Sequence, residues 1–347
     1  MDTYIYKLKF RSPLHISSDA LSLGKPEVFL HSDTLFSAIV NSWINLYNLS
    51  AQFFENPPFI ISSAFPFYKD TLFVKKPYAR LKINQQEFER HRKKVKKATF
   101  ISMSLFEKFA KGEEISVSEK NFLEGGFLSD VEINEQIYSV QERPRSSIPR
   151  YIPTSSEESS EDFATGEEVK TEIFYTTAVH FSDNAGLFFF ASFESKEVKK
   201  QFDGALYLLG DTGIGGNRTN GYGLFEVEKT EKFNNPFESG DYSIALSLYH
   251  PKEEEVKSGI LSGAHFSVVS RQSWIFSGSA HPYRSKKVRM FDEGSIFKGC
   301  GDLSGDVPDI TPRIAEEANI FPHRIYRYGK IFKFCIPASA LTEANDE

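Results

Sequence analysis

The residues best suited to chemistry in this chain are five glycines and one arginine in eleven positions, Gly213-Ile214-Gly215-Gly216-Asn217-Arg218-Thr219-Asn220-Gly221-Tyr222-Gly223. Glycine lets a backbone take positive φ and approach a ligand closely. Successive N–H groups beside Arg218 would form a concavity for an anion, most naturally a phosphate. Two familiar phosphate loops do not fit. A dinucleotide fingerprint needs a third glycine where this chain has Arg218, and it runs from strand to helix. Here Val198, Phe202, Ala205, Leu206 and Leu209 recur at helical spacing before the loop, and Tyr222–Glu228 after it reads as strand. Gly216 and Gly221 have P-loop spacing, but Tyr222-Gly223 stand where Lys-Ser/Thr would reach phosphates and magnesium. A structural turn is the bland alternative.

The second basic constellation is Arg143-Pro144-Arg145-Ser146-Ser147-Ile148-Pro149-Arg150, whose arginines can grip phosphates or stack on bases while Ile148 wedges between them. It opens a segment, residues 141–171, that turns acidic and serine-rich over Ser155–Glu168 and reads as a mobile, protruding insertion. Gln85–Ala98 is a basic helix with Arg90, Arg92, Lys93, Lys94, Lys96 and Lys97, either a solvated face or a contact for RNA or a partner. His15 and His31 flank the first strand and first helix and could lie together as general base for metal-independent RNA cleavage. Asp33 is explained by its place at a helix start. No His-Glu-x-x-His, carboxylate cluster or nucleophile elbow occurs, so no catalytic set, metal or cofactor is expected. Asn220–Val227 matches the RRM aromatic motif only in its Gly-Tyr-Gly core.

The elements that must position these residues follow from periodicity. Residues 3–10 alternate as a first strand, and Ser32 reads as N-cap of a helix whose face is Leu35, Phe36, Ile39, Val40, Trp43, Ile44 and Tyr47. Phe59–Tyr68 and Thr71–Lys76 read as strands; Ile173–Phe181 and Leu187–Phe193 read as a hairpin about the turn at Asp183–Gly186. With the helix before the glycine loop and the strand after it, the order is β-α-β-β-α-β, the ferredoxin-like pattern. Phe233-Asn234-Asn235-Pro236 marks a boundary, and strands at 242–249, 264–276, 288–298 and 330–336 with a short helix at 251–258 suggest a second, abbreviated α+β domain.

At 347 residues the chain has room for two such cores. Its net charge of −6 excludes a globally basic nucleic-acid binder, so any RNA site must be local. Cys300 and Cys335 form no CxxC pair, which excludes a disulfide scaffold or cysteine-rich zinc site. No leader pattern and no membrane-length apolar run is present, so the expectation is a cytoplasmic protein with no membrane association.

Four stretches together resemble the RAMP superfamily of CRISPR proteins, in particular the fourth Csm subunit type of type III-A interference complexes. They are Pro13-Leu14-His15-Ile16; Ser32-Asp33-Thr34-Leu35-Phe36-Ser37-Ala38-Ile39; Arg145–Arg150 leading to Ile173-Phe174-Tyr175; and the glycine loop through Gly223. The resemblance implies two ferredoxin-like (RRM-like) domains, 1–232 and 233–347, with a β-hairpin thumb inserted at about 140–172 and the glycine-rich loop at 210–223. It implies a non-catalytic subunit whose loop grips the 5′ handle of the guide RNA (crRNA) and whose thumb pushes between guide and target RNA. It also implies docking to the large polymerase/HD-type subunit and to a backbone RAMP neighbour. The expected RNA contacts are Gly213, Ile214, Gly215, Gly216, Asn217, Arg218, Thr219, Asn220, Ser32, Thr34, Arg143, Arg145, Ser147, Ile148 and Arg150. The competing expectation is a guide-RNA-processing endoribonuclease using His15 or His31; a third is a protein scaffold whose glycine loop is only a turn.

Overall fold

A computed structural model describes residues 1–16, 27–147, 172–275, 283–301 and 303–341. Its frame is a mixed α+β sheet built from β1 (Asp2–Phe10), β2 (Phe59–Ile61), β3 (Phe65–Tyr68), β4 (Thr71–Lys75), β5 (Phe100–Ser102), β6 (Phe122–Leu123), β7 (Phe127–Leu128), β10 (Ala185–Phe193) and β11 (Phe225–Lys232). β8 (Tyr138–Ser147) and β9 (Glu172–Phe181) stand apart as a two-stranded antiparallel ribbon. The sheet order is β11-β1-β10-β3-β4-β5-β7-β6, with β2 pairing with β10 beyond β3. All pairings from β11 to β5 are antiparallel.

The sequence of β10, Ala-Gly-Leu-Phe-Phe-Phe-Ala-Ser-Phe, has apolar residues on both faces, as a central strand needs. Phe189 and Phe193 meet Tyr6 and Phe202 on the helical side, where α1 (Ser32–Tyr47) and α4 (Lys196–Thr212) cover the sheet. Trp43 of α1 stacks on Phe59 there, and the Tyr6 hydroxyl donates to Asp203 at 2.6 Å. Phe190 points the other way, against Phe332 and Phe334 of the C-terminal part. Each ring removed from water contributes about 1.5–3 kcal/mol, and one core runs unbroken from Leu8 to Ile336. Residues from both sides of 233–236 share this packing.

Between α1 and β8 the chain adds α2 (Gln85–Lys97) and α3 (Met103–Ala110). Beyond residue 233, β12 (Tyr242–Ala245) lies between strands Ile296–Lys298 and Lys333–Ile336 in a three-stranded antiparallel sheet. The single strands expected at 264–276 and 288–298 are each broken. Val268–Arg271 and Trp274–Ile275 replace the first, and Val288–Phe291 and Ile296–Lys298 the second. Gly294, at φ +86°, makes the second break, and it turns Asp292 and Glu293 inward. Among the described residues no helix is long and apolar enough to cross a membrane.

The expected hairpin of β9 with β10 does not form. The two strands are joined by the Asp183 turn, yet β9 pairs with β8 along ten residues while β10 enters the main sheet. The difference lies in their faces: β10 is buried on both, whereas β9 keeps Tyr175 and Ile173 exposed and suits a projecting ribbon.

Candidate nucleic-acid interface

α4 begins where the Ser195 hydroxyl accepts from Val198 N–H, and it ends where Gly213 N–H donates to Leu209 O at 2.8 Å with φ +83°. The glycine loop then folds back on the strap that leaves β1. Gly216 N–H donates to His15 O (3.0 Å), Gly223 N–H to Pro13 O (2.8 Å), Ile214 N–H to Gly223 O (3.0 Å), and Leu224 N–H to the Ser12 hydroxyl (2.8 Å). Ile214 is buried and anchors the loop to the core. Two glycines are required by close approach. A Cβ at Gly223 (φ +76°) would lie 1.9 Å from Ile214 O, and one at Gly215 (φ +88°) 2.6 Å from His15 O. Asn217 takes the left-handed conformation at φ +59°, and Arg218–Asn220 form a short exposed 3₁₀ turn.

The loop therefore spends several N–H groups on its own architecture. Among the described residues, those of Gly215, Asn217 and Thr219 remain without a protein acceptor. The backbone donors left for an anion are therefore fewer than the full run of glycines suggests.

The ribbon brings a second cationic element to the same place. Along β8, Arg143 and Arg145 alternate onto one face, opposite Thr176 and beside Phe174 in the β9 register. Arg145 Nε donates to Thr176 Oγ1 at 3.3 Å, and its guanidinium lies 5.8 Å from the centre of the Tyr222 ring in the loop. Arg143 is exposed, with Nη2 donating to Gln141 Oε1 at 3.3 Å. Reciprocal bonds of 2.8 Å between Leu14 and Val179 fasten the ribbon to the β1 strap. His15 lies between them, its Nδ1 2.5 Å from Thr177 O and its ring over Gly216. Because a carbonyl only accepts, Nδ1 carries the proton and Nε2 is left for another partner. The Tyr222 hydroxyl and His180 Nε2 are buried without partners among the described residues. Burial pushes the His180 imidazole below its usual range, and Arg143 adds to the effect. Loop, ribbon and strap thus meet at Tyr222, Arg145 and His15, with Arg143 two residues along the strand from Arg145 and Arg218 in the same loop as Tyr222. Ser147 ends β8, while Ile148, Arg150 and the middle of the expected thumb lie outside the described residues.

The stretch around Ser32 is placed differently from the expectation. Helix α1 starts at Ser32 with His31 as N-cap, and no side chain caps it. The Ser32 hydroxyl is fully buried and accepts from Leu248 N–H at 3.0 Å, while Ser32 N–H donates to the Ser63 hydroxyl. Ser32 thus presents no surface to a ligand. Thr34 Oγ1 accepts from Arg271 Nη2 at 3.1 Å. Asp33 is the centre of a buried clamp. Arg271 donates to it through Nε and Nη2, both at 3.0 Å, and Arg327 Nη1 donates to the same carboxylate. Burial alone would push the Asp33 carboxyl up, but the Arg271 and Arg327 guanidinium groups outweigh it and hold it well below the usual range. Asp33 does stand in the first turn of α1, as its helix-start reading expects, and with Thr34 it also bonds the C-terminal part, while Ser32, fully buried, is a joint rather than an RNA contact.

His31 belongs to the same joint and not beside His15. Its Nδ1 lies 2.9 Å from Glu293 Oε1, and the Ser63 hydroxyl donates to that carboxylate. Burial would lower the imidazole, but Glu293 outweighs it, supported by Glu27, and raises it to about 9. Buried and paired with Glu293, His31 thus helps to hold the joint together. His31, Asp292 and Glu293 are the one trio of metal-type donors grouped closely among the described residues. Lys75 and Tyr78 already donate to Asp292, and His31 and Ser63 to Glu293, so the group is an ion-pair network rather than a cation cage. Burial and the adjacent Glu293 push the Asp292 carboxyl up to about 6. The two cysteines, which their spacing gives no reason to pair, are joined as a disulfide with Cα atoms 5.7 Å apart.

Comparison with known proteins agrees with this geometry over most of the chain. The family model of the RAMP superfamily matches residues 7–226, which hold the strap, ribbon and glycine loop, and that of the CRISPR Csm4 C-terminal domain matches residues 238–336. A "CRISPR system Cms protein Csm4" of Methanocaldococcus jannaschii is 24% identical over 95% of this chain and 96% of its own. The protein so described in Thermococcus onnurineus is 27% identical over 87% of this chain and 89% of its own. Among solved structures, a chain of the Csm3-Csm4 subcomplex in the type III-A CRISPR-Cas interference complex superposes with a TM-score of 0.59 at 19% identity, covering 96% of this chain and 99% of that one. A chain of a Csm1-Csm4 cassette in complex with pppApA gives 0.59 at 20% identity, covering 99% and 100%; these two likenesses concern the fold. The chain belongs to the RAMP superfamily and is a Csm4-like member of it.

Proposed function

We propose that this protein is a non-catalytic subunit of a type III-A CRISPR interference complex, and that its glycine loop and the adjoining ribbon hold the 5′ handle of the guide RNA. The observation that carries the reading is the convergence of Arg145 on Tyr222, which puts the ribbon's cationic face against the loop that carries Arg218. Phosphates would meet Arg218 and the N–H groups of Gly215, Asn217 and Thr219, and bases would meet the planes of Arg145 and Arg143. The ribbon is the stem of the proposed thumb, which extends to target RNA. The strand order β11-β1-β10-β3 supports a ferredoxin-like first domain, and the smaller three-stranded sheet supports an abbreviated second one.

Relatives solved as a Csm3-Csm4 subcomplex and a Csm1-Csm4 cassette support docking to a backbone RAMP subunit and to a large subunit, in the cytoplasm. A catalytic role has little support from the histidines: His31 is locked in an ion pair, and the His15 ring is held between Thr177 O and loop backbone. The test is handle-RNA binding by Arg218→Ala across a salt series. Each single-strand phosphate contact contributes a log–log slope of about −0.7, so the variant binds more weakly with a slope shallower by about that amount. Unchanged affinity and slope would remove Arg218 from the site. Site-specific cleavage of repeat RNA in EDTA, abolished by His15→Ala, would replace the reading with a nuclease.

A further inference from the structure

Helix α2 lies between β4 and β5, three strands along the sheet from β1 and hence apart from the glycine loop. Its sequence, Gln-Gln-Glu-Phe-Glu-Arg-His-Arg-Lys-Lys-Val-Lys-Lys, holds six Lys or Arg against two Glu in a chain of net charge −6. The helix does not simply display these charges to solvent. With the segment that leaves β4 it walls a cavity of about 950 Å³, lined by Lys76, Arg80, Phe88, Glu89, Arg92 and Lys96 over an apolar floor at Val95. That volume lies at the upper end of ordinary ligand sites.

The cations differ in what they are free to do. Lys76 is committed to the floor, donating to Val95 O at 2.8 Å, and Lys94 outside the cavity pairs with Glu119. Arg80, Arg92 and Lys96 are exposed and make no ion pair among the described residues. Glu89, the carboxylate of the wall, accepts from Gln85 Nε2 at 3.3 Å. The Arg80 guanidinium lies 5.2 Å from the Phe88 ring centre, which leaves its outer plane as a stacking surface for a base. Arg92 and Lys96 are one helical turn apart, about 6 Å between their Cβ atoms, comparable to the separation of neighbouring phosphates on an extended strand. A half-buried aromatic under an arginine beside a pair of unpaired cations is the combination that binds single strands without reading sequence.

We infer that the α2 cavity is a second single-stranded RNA site, which takes a base against Arg80–Phe88 and successive phosphates on Arg92 and Lys96. It is independent of the handle reading and lies outside the loop and ribbon. The probe is a labelled twelve-nucleotide oligouridylate, bound to the full chain and followed by fluorescence anisotropy. Arg92→Gln/Lys96→Gln alters two exposed residues, so thermal unfolding should match the parent. At 0.1 M salt each contact of slope about −0.7 is worth roughly fivefold relative to 1 M, so the double variant should bind about 25-fold more weakly with a slope shallower by about 1.4. Repeated in the Arg218→Ala background, where the glycine loop is weakened, the double variant should show the same loss; loss in one variant but not the other separates failure of this site from failure of the glycine loop. Unchanged affinity and slope in the double variant would overturn the inference. So would unchanged oligouridylate binding with loss of binding to a polyglutamate probe, which would assign the cavity to an acidic protein partner.

Discussion

Replacing Asp33 by Asn should destabilise the whole chain without touching the glycine loop. Asp33 has a side chain only 1% exposed and faces two guanidinium groups, Arg271 at 13% and Arg327 at 7%. Asn keeps the size and one acceptor oxygen but leaves two buried cations without their counter-charge. Breaking one partner of a buried ion pair costs about 3–5 kcal/mol, because the remaining charge cannot be rehydrated. The continuous core makes one cooperative transition the expectation. At about 2.1 cal/mol/K per residue, unfolding 347 residues carries about 0.7 kcal/mol/K of entropy, so Tm should fall by about 4–7 °C. The control is Asp211→Asn, which breaks the exposed 3.1 Å pair with Arg11 and should cost no more than about 1 kcal/mol. Differential scanning calorimetry reads both. If Asp33→Asn shifts Tm no more than Asp211→Asn, the clamp does not join the two parts as described. A loss of RNA affinity at unchanged Tm would return Asp33 and its neighbours to the RNA surface.

Two further perturbations test other joints. His31 carries a folded pKa of about 9, above its ordinary 6.5, so its pairing with Glu293 stabilises fully below pH 6.5 and is lost as pH rises through 9. Urea unfolding should show the parent losing about 3 kcal/mol relative to His31→Gln between pH 6.5 and 9.5, and a pH-independent difference would refute the pairing. Gly223→Ala and Gly221→Ala both place Ala at positive φ, but only Gly223 faces Ile214 O at 1.9 Å, whereas nothing lies within 4 Å of a Cβ at Gly221. Gly221→Ala should cost about 1 kcal/mol and Gly223→Ala more than about 2 kcal/mol, and equal costs in chemical denaturation would show that the loop does not press on its own backbone.

The parts of the fold that were legible in the sequence are those whose signal is local. The helical recurrence of Phe202, Leu206 and Leu209 ending at Gly213 marks α4 and its exit, and the alternation of residues 3–10 marks β1. How many of the glycine loop's N–H groups stay free was not legible, because it depends on the strap at Pro13 and His15, about two hundred residues earlier. The clamp was not legible, because Arg271 and Arg327 lie 238 and 294 positions from Asp33 and no local pattern announces them. β9 and β10 were assigned to one hairpin because a turn joins them, yet partner choice was decided by which strand could bury both faces. Helix α3 carries a local signal of its own, a Ser102 cap followed by Leu105, Phe106 and Phe109. The interruption of the expected strand 59–68 at Ser62–Ala64 arises from tertiary bonding: Ser63 N–H donates to Leu246 O and Ala64 pairs with Leu30.

The central claim, that loop and ribbon together grip the guide RNA's 5′ end, is tested most directly by ultraviolet crosslinking of the assembled complex with mapping of crosslinked residues. The account predicts that nucleotides of the 5′ handle crosslink to the peptides spanning Gly213–Asn220 and Arg143–Arg145. Handle crosslinks confined to other surfaces of this chain, or to other subunits alone, would contradict it.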